Sequence, residues 1–414
     1  MPRAVTARTG LRQILRGWLG AGGTTVEQTE AVSRADAVSR AAAVSRADAV
    51  SQALEPDDAE DLTTAAERSP TRIIAPLDVH AELQSYLSGL GGHEREIVSA
   101  VLQKIEVGQS IWSFVGRERE RRAIATWLRR RDHGMLIVTG EPGSGKSALL
   151  GNVLCCSDPE LRALLARTRQ LPQLAAADHP PDHEFVAALH LGGLTVSATV
   201  AHLAAATGVG EPLRHVEPVR EVEWLMDRLR ERRPTVTLLV DALDEAKQPL
   251  AIANSVLRGI ADLPHSRVVV GTRETTSHGP GQTAMADENL LDALGQDQNV
   301  VVIKVNHDPV AVAGYVRQSL GTARDAGLLT ADDAAIAHAA ELVGKRSAGF
   351  LAARLAVLEI LACQYWLDPE HHGDMDTALC QGGHALFSSA MERIMAGSPA
   401  ARPLLEALAL SHGR

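Results

Sequence analysis

Aromatic residues are scarce in this sequence: 3% of 414 residues, as five tryptophans, three tyrosines and four phenylalanines. Cores must then be built largely from Ala, Leu and Val, and binding of single strands by stacking bases on several aromatic rings is disfavoured. Basic charge is in deficit. Lys and Arg number 41 against 51 Asp and Glu, a net charge of −10 with pI near 5.9, which argues against general nucleic-acid binding. The four cysteines, Cys155, Cys156, Cys363 and Cys380, have no zinc-type spacing. The adjacent Cys155 and Cys156 read as apolar filling of a helix. No run of ~18 apolar residues exists to cross a membrane, and the sequence shows no signal-peptide h-region, so a reducing cytoplasm is the expected location. Apolar residues at 45% and charged residues at 22% are ordinary for globular protein, and the length suffices for two or three domains.

The first 23 residues carry Arg3, Arg8, Arg12 and Arg16 without an acid, and Leu11, Ile14, Leu15, Trp18 and Leu19 share a helical face. Such a helix suits a membrane surface, a transit-like peptide, or docking onto protein; membrane contact is the less favoured reading. Residues 31–54 repeat a six-residue unit, AVSRAD. Six residues turn a helix by ~240°, so Val32, Val38, Val44 and Val50 form no stripe, and a solvated spacer, helical or disordered, is expected. Residues 81–87 and 94–105 read as helices, the second from Ile97, Val101 and Ile105 at four-residue spacing.

The informative stretch is residues 135–150, MLIVTGEPGSGKSALL. An apolar strand enters a glycine-rich turn that opens a helix. Gly140, Glu141, Pro142, Gly143, Ser144, Gly145, Lys146 and Ser147 form G-x-x-x-x-G-K-S, the P-loop, with Ala148 next. Glycines let backbone N–H groups close round phosphates, and the helix points its positive end at the anion. The Lys146 ammonium would reach the β- and γ-phosphates, and the Ser147 hydroxyl would ligate Mg²⁺.

Later strands supply acids. Residues 235–246, TVTLLVDALDEA, deliver Asp241 at a strand's end, then Asp244 and Glu245, groups able to serve Mg²⁺ and to activate water. Further strands are expected at residues 184–191, ending near His190, and at 267–270, before Arg273. His190 reads as a satisfied strand-end histidine, and Arg273 either as a γ-phosphate sensor or as a structural ion pair. One more strand is expected at 300–305. Helices are expected at 117–131, 196–206, 309–320, 331–343, 349–366, 386–395 and 402–410, and around Val222, Leu225, Met226 and Leu229, closed by Pro234. Alternating apolar strands and helices give an α/β fold, a P-loop NTPase with a parallel sheet flanked by helices. An all-α region follows it, and a helical or disordered N-terminal region precedes it.

Together, FVGRE at 114–118, GEPGSGKS at 140–147, VDALDEA at 240–246, Thr272-Arg273 and SAGFL at 347–351 resemble the STAND class of P-loop NTPases, in particular actinobacterial NACHT-like ATPases. The resemblance covers residues 110–414. It implies a switch that holds ADP at rest and exchanges it for ATP, with self-association, slow Mg²⁺-dependent hydrolysis, and a role in bacterial defence or regulation through a protein effector or sensor partner. It implies adenine contact at Val115, Gly116 and Arg117. Phosphate and Mg²⁺ would be held by the P-loop residues, and Mg²⁺ also by Asp241. Water would be activated by Asp244 or Glu245, and Arg273 would be the sensor arginine. The implied layout is a spacer at 1–60, a helical segment at 61–112, the NTPase at 113–307, a helical domain at 308–400, and at 401–414 the opening of a winged-helix part, hence an expected truncation. Two other readings compete: an AAA+-type ATPase remodelling a macromolecule, and a non-catalytic interaction scaffold.

Overall fold

Strands with apolar residues on both faces need cover on both sides, and three of these, Gly134–Thr139, Val236–Asp241 and Ser266–Thr272, buried almost throughout, form the centre of a five-stranded frame. The computed structural model describes residues 76–105, 109–112, 114–167, 178–212, 216–231, 235–275 and 289–397. Every element after Val79 belongs to one compact unit, His80–Arg414. In chain order come helices α1 (Pro76–Gly89) and α2 (Gly92–Ser99), then strands β1 (Leu102–Ile105) and β2 (Gln109–Trp112). They are followed by α3 (Glu118–Arg130), β3 (Gly134–Thr139), α4 (Lys146–Ser157), α5 (Pro159–Arg167), β4 (Ala187–His190), α6 (Val196–Thr207), α7 (Pro218–Glu231) and β5 (Val236–Asp241). A 3-10 turn, Leu243–Glu245, leads to α8, whose segments Pro249–Ala251 and Arg258–Ala261 flank a π-helical Ile252–Leu257. Then follow β6 (Ser266–Thr272), α9 (Leu290–Leu294), β7 (Val300–Lys304), α10 (Pro309–Asp325), α11 (Asp333–Arg346), α12 (Phe350–Ala362), α13 (His372–Cys380) and α14 (Gly382–Gly397).

The sheet runs β4-β5-β6-β3-β7 with every pairing parallel. Side chains alternate between its faces. Met135 and Ile137 of β3 enter one core with Val240 and Val270, whereas Leu136 and Val138 enter the other with Leu239 and Val269. A third core, around Val316, Val343, Val357 and Trp366, unites α10 to α14. Because the strands are parallel, their C-terminal ends emerge together. Register pairs His190 with Asp241 and Thr139 with Thr272, so Gly140, Asp241 and the turn after β6 share one rim, where α/β sheets bind ligands.

The expected α/β fold is the observed one, but two predicted helices are wrong in part. Residues 94–105 do not continue as helix: α2 stops at Ser99, and Leu102–Ile105 pairs antiparallel with Gln109–Trp112, Leu102 opposite Trp112. Ile105 and Val107 before Gly108, and Ile111 and Trp112 after it, are β-branched or aromatic, which suits a hairpin about the glycine better than a continued helix. The spacing of Ile97 and Val101 was nonetheless informative, because both are buried in the second core. The helix expected over 349–366 gives way after Ala362 to a 3-10 turn, Gln364–Leu367. The readings made for residues 1–60, Pro234 and 401–414 fall outside the described residues.

Candidate functional site

Buried β3 delivers the chain into the P-loop, and α4 begins directly at Lys146. Gly143 and Gly145 take φ of 73° and 96°, a region costly for side-chained residues. Space is equally restrictive. A Cβ on Gly140 would lie 2.5 Å from the Val305 carbonyl oxygen, and one on Gly143 would lie 2.7 Å from Leu351 Cβ. Lys146 Nζ donates to the carbonyls of Gly140, at 2.7 Å, and Glu141, at 3.1 Å. Burial above all holds the Lys146 ammonium below its ordinary pKa, and Arg273 adds to this, while Asp244 and Asp241 oppose it.

Asp241 closes β5 and is 2% exposed. Burial raises its carboxyl, against a hydrogen bond with the Ser147 hydroxyl and the nearby His190. Its Oδ2 is buried without a hydrogen-bond partner, as are Thr139 Oγ1, Ser144 Oγ and Thr272 Oγ1. Four orphaned oxygens in the P-loop and at the strand ends beside it are costly unless something polar meets them. Oxygen donors beside a glycine cradle are the set a hard cation with phosphate requires. The oxygen donors present therefore fit Mg²⁺ with a nucleotide.

After Asp241, Ala242 adopts φ 56°, unusual for a residue with a side chain, and turns the chain so that the acids of the 3-10 turn face the rim. Asp244 accepts the Arg273 backbone N–H at 3.2 Å and pairs with Arg273 Nε at 3.0 Å. Glu245 Oε1 stands 3.7 Å from Arg273 Nη2. The Asp244 side chain is 4% exposed and that of Glu245 is 51% exposed. Burial chiefly, then the charge of Asp244, raises the Glu245 carboxyl. Arg273 thus engages both candidate acids.

On the other flank, Gly116 (φ 77°) comes so near α10 that a Cβ would lie 2.6 Å from Ala311 Cβ. Val115 packs against the helical core. Arg117, left-handed at φ 64° and 4% exposed, donates from Nη2 to the Ser144 carbonyl at 2.9 Å and pairs with Glu120 at 3.2 Å. Its guanidinium sits 5.7 Å from the Phe350 ring centroid. Phe350 in turn meets Tyr315 edge-on at 5.9 Å. Leu351 N–H donates to the Gly143 carbonyl at 3.4 Å, and a Cβ on Gly349 would lie 2.8 Å from that same oxygen. Glu141 is exposed and Ala148 half-buried.

Residues 113–270 match the AAA ATPase domain family. The chain therefore carries an AAA-type P-loop ATPase domain. No curated protein matches the sequence. Among solved structures, the chain is similar to the Aeropyrum pernix ORC1 protein in complex with DNA (17% identity, TM-score 0.37, 64% of this chain and 65% of that one). It is also similar to Cdc6p from Pyrobaculum aerophilum (12%, 0.34, 64% and 68%) and to the Thermotoga maritima RuvB Holliday junction branch migration motor (12%, 0.30, 60% and 64%). The chain thus spans about two thirds of the length of each. Within the ATPase domain, sequence reasoning passed over Thr139, quoted Thr272 only beside Arg273 without a role of its own, and gave His190 only a structural part. All three end strands of the rim, and that position was the available signal.

Proposed function

We propose that this chain is a nucleotide-dependent switch of the STAND kind, binding ADP or ATP with Mg²⁺, hydrolysing ATP slowly, and self-associating in the ATP form to signal to a protein partner. The observation that carries the reading is the seat of α12 on the P-loop. Leu351 and Gly349 rest on the Gly143 carbonyl, and Arg117 ties the Ser144 carbonyl to Phe350. A phosphate drawing the loop's N–H groups inward shifts those carbonyls, and the helical region is displaced with them. Adenine contact at Val115, Gly116 and Arg117, with the division of the chain at residues 113–307 and 308–400, belongs to the same proposal.

Mg²⁺, when bound, supplies charge for the phosphate oxygens in the transition state. The chain's own groups do the rest. Lys146 exchanges its loop carbonyls for phosphate oxygens, and Asp244 or Glu245 takes a proton from water as that water's oxygen bonds to the γ-phosphorus and the bond to the β-phosphate oxygen breaks. Arg273 is the group that must leave an acid to meet the γ-phosphate, which makes hydrolysis slow. Nucleotide content and turnover of purified protein, wild type beside Lys146→Ala, test this. Co-purified ADP and very slow turnover, both lost in the variant, are expected; an empty wild-type protein would end the reading. The match to AAA ATPase domains supports a second reading, a remodelling ATPase. Turnover that is fast and rises with protein concentration would select it.

A further inference from the structure

The helix α2 precedes the ATPase domain and is not part of its P-loop, yet it is fastened to the hydrolytic rim at several points. It lies on the P-loop helix so closely that a Cβ on Gly151 would stand 2.6 Å from the Ile97 carbonyl oxygen. Its His93 ring lies near His190 and meets His202 of α6 edge-on, centroids 4.4 Å apart. Its Glu96 Oε1 stands 3.6 Å from His190 Nδ1.

His190 is the last residue of β4, opposite Asp241 in register. The backbone just beyond it holds the acids' own backbone: Leu191 N–H donates to the Asp241 carbonyl and Gly193 N–H to the Glu245 carbonyl, both at 2.9 Å. A Cβ on Gly192 would lie 2.8 Å from His190 Cε1 and 3.9 Å from Glu245 Oε2, so only a glycine's width separates imidazole and carboxylate. His190 faces Glu96 and His93 from α2, and Asp241 and Glu245 from the end of β5 and its turn. Glu245 also faces Asp244 and Arg273.

We propose that Glu96 of α2 is a positioning residue for hydrolysis, holding His190 beside Glu245, and that α2 is thereby the lever through which the chain preceding the P-loop controls ATP turnover. The proposal rests on the reading that Glu245 belongs to a working hydrolytic site. A pull on α2 moves Glu96 and His93 together, and β4's end transmits the movement to the acids rather than to the phosphate cradle. The signature is a change in turnover with little change in nucleotide affinity.

The test uses the full chain with Glu96→Gln, His190→Ala and the double variant. kcat is measured across pH, and ADP affinity and melting temperature are measured alongside. A misplaced acid costs turnover steeply, so kcat is expected to fall about tenfold in His190→Ala and several-fold in Glu96→Gln, with ADP affinity within about twofold of wild type. The double variant should be no slower than His190→Ala, because both changes cut one connection. The acid limb of the kcat profile should move to higher pH in His190→Ala, since His190 favours the ionised Glu245. A Glu96→Gln protein with wild-type kcat and pH profile overturns the proposal, as do losses that simply add. Wild-type protein that binds ADP yet turns over no ATP removes the hydrolytic reading and this proposal with it. In contrast, normal wild-type turnover indifferent to Glu96→Gln removes the lever alone.

Discussion

Asp241 shows how a single buried acid can cost stability. Burial raises its carboxyl above the ordinary aspartate value, so the folded chain keeps this proton over a pH range where the unfolded chain has lost it. By linkage, that mismatch costs stability as pH rises through the interval and leaves a buried, half-satisfied charge at neutral pH. Asp241→Asn is therefore expected to raise the melting temperature of nucleotide-free protein at pH 7, by about 2 °C, and to lose the stabilisation that Mg²⁺ with ADP gives wild type. A scanning-calorimetry pair that shows no gain would mean that Ser147 and His190 already satisfy the carboxylate. Glu245 is displaced in the same direction, by burial and by Asp244. A base with a raised pKa is neutralised earlier on acidification, so hydrolysis should fail at a pH above the ordinary glutamate range. Glu245→Gln should flatten that acid limb along with nearly all turnover, while Asp244→Asn chiefly frees Arg273. If Asp244→Asn removes turnover and Glu245→Gln does not, the roles are reversed.

Among the elements, α12 makes the most consequential contact, and its tightness is measurable. Gly349→Ala places a methyl 2.8 Å from the Gly143 carbonyl, against backbone that has no flexible end to yield. The expected result is an α12 pushed off the P-loop and ADP released several-fold faster, at a stability cost of about 1–3 kcal/mol. Gly373→Ala is the control, because nothing lies within 4 Å of that position in the same helical region. Stopped-flow release with a fluorescent ADP separates the two; equal rates would detach α12 from nucleotide exchange. Elements of this kind differ in how readable they are. The strands were legible because each is an apolar run that ends on a chemically distinctive residue, as β3 does before Gly140 and β5 does at Asp241. The hairpin at residues 102–112 was not, because Ile97, Val101 and Ile105 imitate a helical stripe across a real boundary at Ser99. Nor could the pairing of Glu96 with His190 be read. It depends on α2 lying across the end of a parallel strand far along the chain, and no local period encodes that.

At the scale of the whole molecule, two cores on the faces of the sheet and a third among α10–α14 could melt separately, for each is an apolar cluster of its own. Among the contacts that join the third to the others are Gly116 on Ala311, Val115 on the helical core, Arg117 on Phe350 and Ser144, and Leu351 on Gly143. Those of Arg117 and Leu351 are made on the P-loop itself. A ligand that binds only the folded site adds about 2.7 kcal/mol at a hundred times its dissociation constant. Here that energy falls on the seam between the cores. ADP with Mg²⁺ at that ratio should therefore raise the melting temperature by about 5 °C and also merge any separate melting of the helical region into one transition. Phe350→Ala should keep most of the ATPase domain's shift while splitting the transition, because it cuts the seam and leaves the phosphate cradle in place. Lys146→Ala should lose the shift altogether. A single transition in Phe350→Ala, shifted by ADP as in wild type, would mean that the seam is carried by the apolar packing of Val115 and Ala311 rather than by the arginine and the ring.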